Sequence, residues 1–213
     1  MTGSVTEKVY TEMTFKALVD AILPITRLDS KITGGQPQSY RASDLQIHQY
    51  VMFALDHYIT VQQQLFQTRI PLSYPTALML DIAASFLPHL SNETQTKNQG
   101  LFATLSKKDR IRTLSLLENI EIDLYLLPNP YHNNAGLVQY MADALNRLTM
   151  LGFYSEWAAY GKTRDEPPQV RQLQYFPIGW MEAQYPGVSY GYRDFRGFLL
   201  KMGRTEANDE SSL

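Results

Sequence analysis

The chain has 213 residues, 44% of them hydrophobic, enough to bury one full core and best suited to a single domain. Its formal net charge is −2, from 19 basic and 21 acidic residues, and no basic block exceeds Lys107-Lys108, so it has no field that would concentrate nucleic acid or an anionic membrane surface. It has no cysteine, which excludes disulfides, thiolate metal sites, iron–sulfur clusters, covalently attached c-type haem and a cysteine nucleophile within this chain.

Between Met1 and Pro24 the charged residues Glu7, Lys8, Glu12, Lys16 and Asp20 interrupt the apolar ones, so no signal-peptide core or membrane span is expected there. Arg-Arg occurs nowhere, and the product as encoded is expected to be cytoplasmic unless a partner carries it elsewhere. Phe15, Leu18, Val19, Ile22 and Leu23 recur at helical spacing and predict a first helix from about Thr11 to Leu23, stopped by Pro24. Ser30 to Ala42, with Gly34-Gly35 and Pro37, has turn chemistry and reads as an exposed loop.

Ser43-Asp44-Leu45-Gln46 matches a capping box, in which the serine oxygen and the glutamine amide each satisfy an orphan backbone donor. Ile47, Val51, Ala54, Leu55, Tyr58 and Ile59 then follow on one face and predict a long helix to about Gln67. Pro71 and Pro75 precede a third helix carrying Leu78, Ile82 and Phe86, which Pro88 ends; Ser91 to Gly100 reads as a polar linker. Ser106, three residues before Asp109, starts a fourth helix predicted from Lys107 to about Leu126, broken at Pro128. Asn133-Asn134 caps a fifth, with Leu137, Tyr140, Met141, Ala144, Leu145 and Leu148 on its stripe and Gly152 as a left-handed stop. These elements predict an all-α fold, an irregular bundle of about five helices forming one domain over 1–202. The polar tail 203–213 is expected to be disordered.

Between Phe153 and Phe198 lie 12 of the chain's 25 aromatics, set among Gly and Pro without helical period. Segment 152–198 is therefore expected to be irregular, packed on the bundle, and to present a surface that meets a partner. Aromatic side chains bring large contact area at low rotamer entropy, so Phe153, Tyr154, Trp157, Tyr160, Trp180, Tyr185, Tyr190 and Tyr192 are the expected partner-binding residues, with Trp157 and Trp180 as anchors. The same rings could instead roof the chain's own core.

Catalytic chemistry finds little support. Asp44 and His48, or Asp56 and His57, suggest one arm of a metal site, but a metal needs three or four convergent ligands. Glu118 and Glu121 lack the paired Glu-x-x-His steps of a di-iron bundle. Ser155 has no nucleophile elbow, and His48, His57, His89 and His132 fall in unrelated contexts. No glycine-rich nucleotide or flavin loop is present, so no cofactor is expected in this chain. The residues alone leave three alternatives open: an accessory subunit, a stand-alone enzyme or ligand-binding bundle using Arg193, Asp194 or His57 in an aromatic pocket, and an interaction module unrelated to redox chemistry.

Phe15-x-x-Leu18-Val19-x-x-Ile22-Leu23-Pro24, Phe102-Ala103-x-Leu105-Ser106, and above all Gly152-Phe153-Tyr154-Ser155 to Gly161 with Gly179-Trp180 and Tyr185-Pro186-Gly187 resemble the gluconate 2-dehydrogenase subunit 3 family. The resemblance covers Thr11 to Gly197. It implies a small, non-catalytic, mostly helical subunit associated with a large FAD-dependent dehydrogenase of the glucose-methanol-choline type, often alongside a multihaem cytochrome c subunit. In that family the flavin and the catalytic base belong to the large subunit, which the small one helps to mature and, with a twin-arginine leader, to escort across the membrane. This sequence departs from the pattern by showing no such leader, so stabilisation of the flavoprotein is the role carried over.

Overall fold

The structure, a computed structural model, describes residues 5–28, 38–59, 70–88 and 100–185. These are mostly helical, an irregular all-α bundle as the patterning predicts. In chain order they hold α1 (Val5–Ile22), β1 (Thr26–Leu28), β2 (Gln38–Tyr40), α2 (Ile47–His57), α3 (Ser73–Ser85), α4 (Leu101–Thr104), α5 (Lys107–Glu118), α6 (Ala135–Tyr154) and α7 (Ile178–Glu182). Two 3-10 segments, Leu124–Leu126 and Trp157–Thr163, complete the list of helical elements among the described residues.

Helix α1 is central and touches α2, α3, α4, α5 and α6, burying Phe15, Leu18 and Val19 completely. Helix α6 lies across α2 and α5, adding Val138, Met141 and Leu145 to the same core. Burying a side chain of this size stabilises the fold by about 1.5–3 kcal/mol. Tyr131 is fully buried as well, and its hydroxyl shares a 2.6 Å hydrogen bond with Thr76, so its polar end is satisfied inside the core.

Successive helices are chained together by carboxylates. Asp20 on α1 accepts from both the amide and the hydroxyl of Ser43, each at 2.8 Å, and Asp56 on α2 does the same for Ser73 at the start of α3. Asp81 on α3 accepts from the Phe102 amide in α4 at 2.9 Å and from the Tyr10 hydroxyl at 2.7 Å. Each carboxylate thus holds the chain where it returns to the bundle, using charge-assisted bonds that outweigh neutral ones.

That arrangement overturns one expected cap. Ser43 does not start a helix; the chain turns through Arg41 to Gln46, where Gln46 takes a left-handed φ of 59°, and α2 begins at Ile47. The serine amide and hydroxyl both donate to Asp20, and the left-handed Gln46 interrupts the helical run that a cap at Ser43 would have to start. Helix α2 ends at His57, and the predicted continuation to Gln67 runs into residues outside the described ones.

Helix α1 begins earlier than predicted, at Val5. Helix α5 starts as predicted, with Ser106 accepting from the Asp109 amide and donating to its carboxylate, but it ends at Glu118 rather than near Leu126. Ile120 turns left-handed with φ 58°, and Asp123 caps the following 3-10 turn by accepting from the Tyr125 amide. Asn134 caps α6 as predicted. Gly152, expected as a left-handed stop, is instead helical and buried. A Cβ there would sit 2.7 Å from the Tyr50 ring, so the glycine serves the close approach of α2 and α6.

Part of the expected loop Ser30 to Ala42 forms β2, paired antiparallel with β1 so that Thr26 faces Tyr40 and Arg27 faces Ser39. Strands of three residues are too short to show an alternating pattern in sequence. The linker expected over Ser91 to Gly100 lies, apart from Gly100, outside the described residues, as do the tail 203–213 and the whole 186–202 stretch assigned to the domain.

Candidate functional site

The C-terminal aromatic segment folds as a cap on the ends of α2 and α6. It leaves α6 through Ser155, whose hydroxyl donates to the Gly152 carbonyl at 2.9 Å and accepts from the Trp157 amide at 3.2 Å. This local bonding ends the helix and starts the 3-10 segment that seats Trp157.

Trp157 is only 5% exposed. Its ring stands edge-on to Tyr50 at 5.4 Å and 6.1 Å from Phe53, both on α2, and its Nε1 donates to the Gln46 carbonyl at 3.1 Å. The Arg164 and Arg171 guanidinium carbons lie 5.6 and 5.9 Å from the same ring. Arg164 also donates to the carbonyls of Trp157 and Ala158, each at 3.2 Å, closing the turn over the indole.

The return 172–175 is pinned beside that turn. Gly161 has φ 49° and ψ −117°, and a Cβ on it would collide with the Gln174 amide, which accepts from the Lys162 amide at 3.2 Å. Gln174 itself donates from its backbone to the Ala159 carbonyl at 2.9 Å. The Tyr175 hydroxyl reaches the Ala158 carbonyl. The pinned return then leads through Pro177 into α7, whose Gly179 abuts the Phe153 backbone so closely that a Cβ would overlap its carbonyl oxygen.

Helix α7 carries Trp180. Its Nε1 donates to the Tyr154 carbonyl at 2.8 Å, and its ring meets Phe176 edge-on at 5.6 Å and Tyr185 at 4.9 Å. Tyr154, Phe176 and Tyr185 are each 43–44% exposed, so Trp180 sits at the centre of an open aromatic patch. Beside it, Tyr50, Glu156, Trp157, Tyr160 and Arg171 line a shallow cleft of about 330 Å³ that Trp180 also borders. Tyr160 donates to the Glu156 carboxylate, and that hydrogen bond, with burial and the Glu156 charge behind it, holds the phenol above its usual pKa.

The expected partner residues therefore divide. Phe153 and Trp157 are buried, and they support the surface rather than belong to it; Trp157 does not stand out as an exposed anchor, because α2 supplies rings and a carbonyl that bury it. Tyr154, Tyr160, Trp180 and Tyr185 remain at or near the surface, whereas Tyr190 and Tyr192 lie outside the described residues. Phe176 joins the patch although sequence reasoning did not single it out. Its position three residues before the Gly179 contact is the signal that would have found it.

The weaker chemical candidates do not assemble. Asp44 lies outside α2 and accepts from the Arg41 amide at 2.9 Å, while His48 is fully buried, so the two never share a helix face. Asp56 is engaged by Ser73, and the His57 ring stacks on Phe53 at 4.3 Å with Nδ1 2.9 Å from the Phe53 carbonyl. Glu118 ends α5 and Glu121 follows the turn, both exposed. Among the described residues no group of three or more His, Asp or Glu side chains converges. His89, Arg193 and Asp194 lie outside the described residues. No helix among the described residues is long and apolar enough to cross a membrane.

The family model for gluconate 2-dehydrogenase subunit 3 matches residues 11–187, a span that takes in the core helices and the aromatic cap. No curated protein and no solved structure matches the chain.

Proposed function

The chain belongs to the gluconate 2-dehydrogenase subunit 3 family, and from that premise we propose that it is an accessory subunit that binds and stabilises a large FAD-dependent dehydrogenase of the glucose-methanol-choline type. The observation that carries this reading is the cluster in which half-buried Trp180 meets the exposed rings of Phe176 and Tyr185, with exposed Tyr154 beside it and buried Phe153 and Trp157 behind. A free monomer gains no stability by exposing three rings around a half-buried tryptophan. An interface does, because rigid aromatic anchors lose little entropy when a partner covers them.

Binding the folded, flavin-loaded dehydrogenase and not its unfolded chain shifts the partner's folding equilibrium by mass action. A cytochrome c subunit is a further candidate member of the complex. An interface of standard size, on the order of 1,600 Å² in total, would cover the cluster and the neighbouring cleft.

Co-expression with a large FAD-dependent dehydrogenase of this type tests the proposal. The expected result is a co-purifying complex whose large subunit carries more FAD than when expressed alone, with Trp180→Ala lowering affinity by about 30-fold or more, as for an interface hot spot. No complex, together with unchanged flavin loading, overturns it.

A further inference from the structure

A second cavity, of about 490 Å³, opens where the β-ribbon meets α1 and α5, and its lining is unlike that of the aromatic cleft. Arg27, Arg41, Lys107 and Arg110 converge on it against a single acid, Asp20. A chain of net charge −2 therefore gathers four cations into one pocket whose local formal charge is +3, counting four positive groups and one negative.

Two of these cations have structural duties. Lys107 donates to the Leu23 carbonyl at 2.9 Å, at the C-terminal end of α1, where the helix dipole favours a cation. Arg110 donates to the carbonyls of Phe102, Ala17 and Ala103 at 3.3, 3.2 and 2.8 Å. Those partners are neutral, so the bonds orient the cations without cancelling their charge. The one carboxylate is itself committed, both oxygens of Asp20 accepting from Ser43. Burial draws the Arg110 pKa down and nearby Asp20 draws it back up, the behaviour of a cation short of counter-charge.

Arg27 and Arg41 have no structural duty. Neither makes an ion pair among the described residues, and both side chains are exposed. The two-residue period of the ribbon puts Ile25, Arg27 and Arg41 on one face, toward the cavity, while Thr26 turns to the interior and is 3% exposed. Two planar guanidinium forks and the spare donors of Lys107 thus surround a space of ligand size, with Ile25 at its apolar edge.

We propose that this pocket binds a small soluble organic oxyanion, a carboxylate or a phosphate ester, gripped by Arg27 and Arg41 and held over Lys107. The site is separate from the aromatic patch and does not depend on the identity of the dehydrogenase partner. Guanidinium pairs recognise both anion types in the same bidentate manner, and a cavity focuses the field that an open surface would dissipate.

The test titrates the isotope-labelled full-length chain with sodium phosphate and, separately, sodium succinate, at constant ionic strength set with sodium chloride. The expected result is a saturable shift of the arginine side-chain resonances with at least one of the two anions, the stronger response assigning the anion type. Arg27→Gln with Arg41→Gln, which breaks no internal bond, should weaken that binding by about 10-fold or more, the loss of charge-assisted hydrogen bonds. The charge-matched Lys8→Gln with Arg147→Gln variant should leave it unchanged. Non-saturating shifts with both anions, or equal losses in the two double variants, would reduce the pocket to general counter-ion attraction and overturn the proposal. Retention on phosphatidylglycerol vesicles without response to either soluble anion would assign the cations to a lipid headgroup and also overturn it.

Discussion

The indole Nε1 of Trp157 donates a 3.1 Å hydrogen bond to the carbonyl oxygen of Gln46, a residue 111 positions earlier that takes a left-handed conformation just before α2. One bond thereby ties the aromatic cap to the turn that starts a core helix. Trp157→Phe keeps most of the ring and removes the donor, leaving the Gln46 carbonyl with the Gln49 amide alone, and should destabilise the protein by about 0.5–1.5 kcal/mol. Urea unfolding followed by circular dichroism checks this. Because the ring is buried, the variant should lose stability while retaining most of its affinity for the dehydrogenase, the opposite of Trp180→Ala.

Gly179 decides whether Trp180 is presented at all. Its α-carbon lies against the Phe153 carbonyl, and that neighbour is backbone, which cannot swing aside as a side-chain tip would. Gly179→Ala should lift α7 from α6 and cost about 1–3 kcal/mol locally. Limited proteolysis should then cut between Ser155 and Tyr185 faster than in the wild type, and partner binding should fall together with that loss of protection. Unchanged cleavage would show that α7 accommodates the methyl group.

His48 predicts how stability responds to acid. It is fully buried, neither ring nitrogen has a hydrogen-bond partner, and Nε2 lies 3.7 Å from a Glu12 oxygen. Burial first, and then Lys16, pull its pKa from 6.5 down to about 4, with Glu12 and Asp20 opposing. The native state therefore keeps the ring neutral where the unfolded chain binds a proton. Stability should fall as pH drops below 6.5 and level off near 4, by up to about 3 kcal/mol. His48→Leu should flatten that part of the profile, measured as urea midpoints across the range. A profile unchanged by the substitution would assign the acid sensitivity to other groups.

Asp56 tests the carboxylate chain between helices. Both its oxygens hold Ser73, so Asp56→Ala would leave the amide and the hydroxyl at the start of α3 without their acceptor. The expected loss is about 1–3 kcal/mol. Asp56→Asn, which keeps one acceptor oxygen, should recover part of it. Thermal denaturation of the two variants separates the contributions.

Helix patterning made most of the bundle readable. The stripes through Phe15 to Leu23, Ile47 to Leu55 and Leu137 to Leu148 belong to elements that bury them, except Tyr140, which faces outward beside buried Val138, and the caps at Ser106 and Asn134 act within three residues of themselves. Interactions of that range are encoded locally, so sequence spacing is sufficient to read them. The family motif around Gly152, Trp157 and Trp180 was legible in the same way, as residue identity.

What spacing could not supply depended on neighbours distant in the chain. Ser43 looked like a cap until Asp20 claimed its hydroxyl, and Gly152 looked like a helix stop until the Tyr50 ring filled the space beside it. Trp157 and Trp180 read alike in sequence, yet α2 buries the first while α7 turns the second outward. Arg27, Arg41, Lys107 and Arg110 come from widely separated parts of the chain and form no motif. The sequence by itself determined the main helices, the caps at Ser106 and Asn134 and the family; the tertiary structure decided which rings are exposed and which charges converge. Burial and electrostatic partnership are properties of what lies opposite a side chain, and nothing local specifies that.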